Sequence, residues 1–191
     1  NKGDEMIGSI SEMPITDESY PFSSAERYCH LSAKGYVERE YRVDGTANVY
    51  RTVDEDGGVE VMTADAPYAN RIVVRAPKDP AQASGNVVVE IINPTSFMEI
   101  ERMWILGYGE FVRSGDIYVG ITSKPNTIAK LKEFNPDRYA FMSWANPTPE
   151  RPFNFDPVDL ERGGALPDMD LTYETGLFWD MLTDLAWLLR G

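Results

Sequence analysis

The first 35 residues are polar, rich in Ser, Glu and Pro, and carry no sustained apolar period, so residues 1–35 are expected to form an extended surface arm. From Tyr36 the texture changes. Tyr36 to Val43 and Thr46 to Val53 are β-prone runs separated by Asp44-Gly45, a pair that tolerates positive φ and predicts a hairpin. A polar turn over Asp54 to Gly58 leads into Val59 to Thr63, and Asn70 to Pro77 reads as a further strand closed by proline. Asn86 to Asn93 is a nearly unbroken β-branched run, the pattern of a strand covered on both faces within a partly parallel sheet. Met98 to Arg113 carries Trp104, Tyr108, Phe111 and Val112 at helical spacing, and Asp116 to Ser123 is a second buried strand. Strand, helix and strand over residues 86–123 make a βαβ unit, whose crossover is right-handed in nearly all proteins.

Residues 124–167 form a long excursion rich in Pro, Asn and Arg, with one short helix expected near Thr127 to Phe134. The strongest helical pattern is the last. Asp170 to Leu189 places Leu171, Phe178, Leu182, Leu185 and Leu189 on one face, with Asp168 and Asp170 suited to cap its start. Arg190-Gly191 follows as a helix end, the point at which a βαβ sheet ordinarily turns into its next strand.

Composition narrows the field of partners. The 191 residues hold 18 Lys+Arg against 31 Asp+Glu, a net charge of −13, which repels phosphate backbones and anionic lipid surfaces. Nucleic acid is excluded as an expected partner on that ground, and no stretch approaches the ~20 apolar residues of a membrane helix. Cys29 is the one cysteine, so neither an intrachain disulfide nor a thiolate metal site is expected. The chain starts at Asn1 without a basic, apolar leader and reads as processed at its N-terminus.

Few motifs carry chemistry. No Gly-x-Ser-x-Gly is present, and Gly107-Tyr108-Gly109 sits inside a helical pattern where a packing role is expected rather than phosphate binding. His30 is the single histidine, next to Cys29 on an arm where neighbouring side chains point apart; both are expected to be plain arm residues. The acidic groups Asp54-Glu55-Asp56 and Asp168-Met169-Asp170 lack calcium-loop spacing and read as a solvated turn and a helix start, so neither metal nor cofactor is expected.

The most informative segment is Asn93-Pro94-Thr95-Ser96-Phe97, directly after a central strand and before a helix. Ligands of open α/β sheets gather at the carboxyl ends of strands, and backbone N–H groups at such a turn can bind an oxyanion. Pro94 has no N–H, which leaves Thr95, Ser96 and Phe97. The competing reading is a structural turn in which Asn93 bonds its own backbone.

In this order, Tyr41 to Tyr50, Val88 to Ser96, Asp116 to Pro125 and Leu131 to Tyr139 resemble the N-terminal half of bacterial α/β-hydrolases of the group described as "alpha/beta hydrolase domain" proteins. The resemblance implies an α/β fold, antiparallel strands leading into a parallel βαβ sheet and incomplete on its own, with residues 36–191 as the N-terminal portion of the domain. It also implies a Ser, acid, His triad, ester hydrolysis, and export to a secreted or periplasmic location. In this fold the triad runs Ser, Asp or Glu, His, and its serine follows the strand expected after Leu189; the resemblance therefore places all three outside these residues, on a missing or separate C-terminal chain. What it assigns here is the oxyanion turn at Thr95 and Ser96, with Asn93, Phe97 and Trp144 as substrate-pocket residues. The leading expectation is the N-terminal portion of a serine ester hydrolase, with the C-terminal half of the same hydrolase as partner and a small ester as substrate. The alternative is a non-catalytic acidic α/β binding or interaction module; an enzyme using acid residues alone finds no paired carboxylates at a persuasive spacing.

Overall fold

A computed structural model describes residues 7–20, 29–54, 56–149 and 172–190. Among them is a five-stranded sheet in the order β1-β2-β3-β5-β4, built from β1 (Ile7–Met13), β2 (Tyr36–Thr52), β3 (Val59–Pro77), β4 (Val87–Ile91) and β5 (Ile117–Ile121). Helices α1 (Arg102–Ser114), α2 (Pro125–Phe134), α3 (Pro136–Tyr139) and α4 (Leu177–Arg190) complete the described elements. The mixed α/β architecture agrees with the sequence, but three elements differ from it.

The first is the hairpin at Asp44-Gly45, which does not form. β2 runs straight through that pair, with Asp44 opposite Ala69 and Gly45 opposite both Ile7 and Tyr68. Side-chain alternation explains why: Val43, Ala47 and Val49 are all buried on one face, so a reversal between them would break a period of two that the core requires. Arg42 grips the Asp44 carboxylate instead, with Nε at 2.9 and 2.7 Å from its two oxygens. The chain reverses one turn later. Asp54 Oδ1 accepts from the N–H groups of Asp56 and Gly58, at 3.1 and 2.7 Å, and Gly57 takes φ +84°. Asp54 and Asp56 are thus exposed residues of a turn, Glu55 lies outside the described residues, and Val59 to Pro77 continues from the turn as one strand rather than two.

The second difference is the arm. Ile7–Met13 pairs antiparallel with β2 as an edge strand, and Cys29 and Leu31 are buried while His30 is exposed. Sparse apolar content hid a strand whose contribution is mainly backbone pairing. The third is the last helix, which starts at Leu177. Before it, Tyr173 bridges to Ala145 and Glu174 N–H donates to Trp144 O at 2.8 Å, so residues 172–176 are extended and turning. Asp168, Asp170 and Leu171 lie outside the described residues, as does the latter part of the 124–167 excursion; its first part forms α2 and α3.

The βαβ unit forms as read, with β4 parallel to β5 from Val87 opposite Ile117 to Ile91 opposite Ile121. β4 is nevertheless an edge strand and only half-buried, because β5 inserts between it and β3. Successive β5 residues serve opposite faces: Tyr118 joins Trp104, Tyr36, Cys29 and Leu31 beneath α1, while Val119 and Ile121 join Leu177, Met181 and Leu185 of α4. Aromatic packing fixes α1, whose Trp104 lies 5.1 Å from Tyr118 and 5.9 Å from Phe111 between ring centroids.

Candidate functional site

The Asn93–Phe97 segment occupies the carboxyl end of the parallel pair β4 and β5, where it forms a 3-10 turn over Thr95–Phe97. Asn93 and Ile100 exchange both backbone hydrogen bonds, at 3.2 and 2.9 Å, and so close the segment into a loop. Asn93 Oδ1 accepts from Thr95 N–H at 2.8 Å. This is the structural turn, and it engages one of the three proposed donors. Phe97 has φ +57° and is 66% exposed, Thr95 is exposed, and Asn93 is half-buried. Ser123 Oγ donates to Ile92 O at 2.6 Å and Asn126 Nδ2 to Pro94 O at 3.4 Å, binding the start of the loop to the end of β5 and the first turn of α2.

Trp144 is elsewhere. It is fully buried, with its ring stacked on Phe178 at 5.8 Å, in the core beneath α4. Its Nε1 has no hydrogen-bond partner among the described residues.

Buried charge surrounds the loop base, and the sequence reading passed over it. Arg71 of β3 binds Glu40 of β2 on one side and, at 3.2 Å, Glu99 on the other; Arg75 binds Glu38 and Glu101, each at 2.6 Å. Glu90 of β4 accepts from the N–H groups of Met103 and Trp104 at 2.9 and 3.2 Å, capping α1 from a distant strand, and also from Tyr118 Oη at 2.7 Å. Burial raises the Glu99 carboxyl above its ordinary range despite the opposing charge of Arg71. Burial acts the same way on Glu40, but there Arg71 and Arg138 together outweigh it and hold the carboxyl low. The available signal was Arg71 and Arg75 recurring on one face of the otherwise apolar stretch 71–77 of β3.

A second charged group lies under α4. Asp180 and Asp184 are buried one helical turn apart, Asp180 accepting from Asn48 N–H at 2.8 Å and Tyr50 Oη at 3.0 Å, Asp184 from Tyr68 Oη at 3.3 Å. Burial first, and then the Asp180 charge, push Asp184 up to about 6 against the lowering effect of the Tyr68 hydroxyl; Tyr68 itself is raised. No group of three or more His, Cys, Asp or Glu side chains is placed to hold a metal among the described residues.

A profile of the family described as alpha/beta hydrolase domain matches residues 10–191 of this sequence. The chain belongs to the alpha/beta hydrolase domain family. No curated protein and no solved structure matches it. The match begins within β1, at Ile10, and runs through α4. Hydrolase-type chemistry is the class of function this family indicates. Gly107 and Gly109 lie inside α1; a Cβ added at Gly107 would stand 3.4 Å from the Phe111 ring, whereas one at Gly109 would meet nothing within 4 Å, so close packing is found at the first position and not at the second.

Proposed function

We propose that this chain is the N-terminal portion of a serine-dependent carboxylic ester hydrolase, supplying the sheet scaffold and an oxyanion-binding turn. In this reading the Ser, acid and His belong to a second polypeptide, the C-terminal half of the same hydrolase, and the substrate is a small ester. The observation that carries it is the closed Asn93–Ile100 loop at the carboxyl ends of two parallel strands. Family membership supports hydrolysis. The absence of Gly-x-Ser-x-Gly and the single, exposed His30 support a triad contributed from outside these residues.

The chemistry follows from the loop. The serine attacks the ester carbonyl while histidine takes its proton, and negative charge develops on the carbonyl oxygen. Thr95 N–H is engaged by Asn93, so the amides of Ser96 and Phe97 are the donors in this reading, with the Phe97 ring as an apolar wall. Loss of one such donor typically costs ~10² to 10³ in rate. Collapse of the tetrahedral adduct expels the alcohol, protonated by histidine, and water then releases the acid by the same route. The test is labelling with a fluorophosphonate followed by intact mass measurement. A labelled serine on a co-purifying C-terminal chain is expected; a label on this chain, or hydrolysis of ester without any label, overturns the assignment.

A further inference from the structure

The base of the Asn93–Ile100 loop is flanked by two glutamates that reach the same strand. Glu99 and Glu101 stand at alternate positions on either side of Ile100, whose backbone closes the loop, and they end on Arg71 and Arg75 respectively. Those arginines lie on one face of β3, and each is held from the opposite side by β2: Glu38 is the direct cross-strand partner of Arg75, and Glu40 reaches Arg71 diagonally. The side chains of Arg71, Arg75, Glu40, Glu99 and Glu101 are all at most 2% exposed. The Arg75 guanidinium also lies 4.5 Å over the Trp104 ring in the first turn of α1.

Buried ion pairs of this kind add little net stability compared with well-packed apolar residues. Their distinctive property is direction. A guanidinium gripped between two carboxylates holds both at set angles, whereas an apolar contact tolerates sliding. Two such grips, four residues apart on the same face of one strand, fix the translation and the rotation of the segment they hold.

We infer that Glu99 and Glu101 are positioning residues, which act through Arg71 and Arg75 to fix the Asn93–Ile100 loop, and with it the Ser96 and Phe97 amides, against the central strand β3. The catalytic consequence rests on the ester-hydrolase reading; the mechanical one stands without it. Arg71 and Arg75 are in turn set by Glu40 and Glu38, so the loop inherits its place from the β2-β3 ribbon and not only from β4, the edge strand to which it is covalently joined.

Two isosteric variants, Glu101→Gln and Glu99→Gln, test this, with Glu110→Gln as a control because Glu110 pairs with Arg113 on the exposed side of α1. Hydrogen exchange reads the loop in the chain itself. Amides of 93–98 are expected to exchange about tenfold faster or more in either variant, with β2, β3 and β5 within about twofold and the control unchanged. In the assembled two-chain enzyme, kcat on p-nitrophenyl acetate is expected to fall about tenfold or more with KM nearly constant, the mark of donors misplaced only against the transition state. Unchanged exchange over 93–98, or an equal rise across β2 and β3, overturns the proposal, as does a loss carried by KM with kcat intact. Local loosening in the variants of a protein whose wild type hydrolyses no ester would instead remove the function reading and leave the positioning role supported.

Discussion

Glu40 collects donors from three residues: Arg71, Arg138 and the Tyr139 hydroxyl at 3.0 Å all end on its two oxygens. Arg138 meanwhile donates to Pro14 O at 3.0 Å, so one carboxylate couples β2 and β3 to the end of β1 and to α3. Removing it leaves Arg71 buried with less compensation, and Glu40→Ala is expected to cost about 3 to 5 kcal/mol in urea unfolding at pH 7. Because its carboxyl is held low, Glu40 stabilises the fold above its ordinary titration range and loses that contribution as the solution is acidified through its folded value. Asp184 works in the opposite sense. Its carboxyl is pushed up to about 6, so the stability it contributes is full below the unfolded value of 3.8 and lost as pH rises through about 6. Asp184→Asn is therefore expected to stabilise the protein at pH 8, by on the order of 2 kcal/mol, and to leave it unchanged near pH 3.5. An equal effect at both pH values would show that packing, and not charge, governs that position.

Helix α1 ends on Gly115 at φ +78°, where an added Cβ would stand 2.4 Å from Gln82 O. Conformation and space both exclude a side chain there, and Gly115→Ala is expected to cost about 2 kcal/mol or more, read as a lowered Tm. The segment was legible as the end of a helix because Ser114-Gly115 interrupts an apolar period. The same logic failed at Asp44-Gly45, since a dipeptide signal competes with the alternation on both sides of it, and there the buried positions Val43, Ala47 and Val49 decide. β1 was hidden for a different reason: residues 8–12 are exposed, so the strand has no apolar face for a pattern to report. The loop of the candidate site was found from its position after a strand. Its anchors were not, because Glu99 and Glu101 meet Arg71 and Arg75 only through tertiary pairing, although two arginines in an apolar strand already require partners.

At the scale of the molecule, the packed core leaves apolar side chains uncovered on and around α1. Leu106 is 85% exposed, and Ile91, Phe97, Met98, Met103 and Ile105 are each more than 40% exposed, in a protein whose net charge of −13 otherwise keeps copies apart. Together with the edge of β4, which pairs with no further strand among the described residues, this predicts that the chain alone associates at high salt, where the repulsion is screened. Leu106→Glu is expected to lower that association in size-exclusion chromatography while changing unfolding free energy by less than about 0.5 kcal/mol. The strand order has a kinetic consequence as well. β2 and β3 are joined by the short Asp54–Gly58 turn and can zip together from it as soon as residue 77 has been made. β4 is synthesised next but finds no partner, because its neighbour is β5, the later strand, which lies between it and β3. On a growing polypeptide, residues 87–91 therefore wait through the whole of α1 for Ile117–Ile121 to emerge, and the loop at 93–100 can take its place only when that late strand arrives.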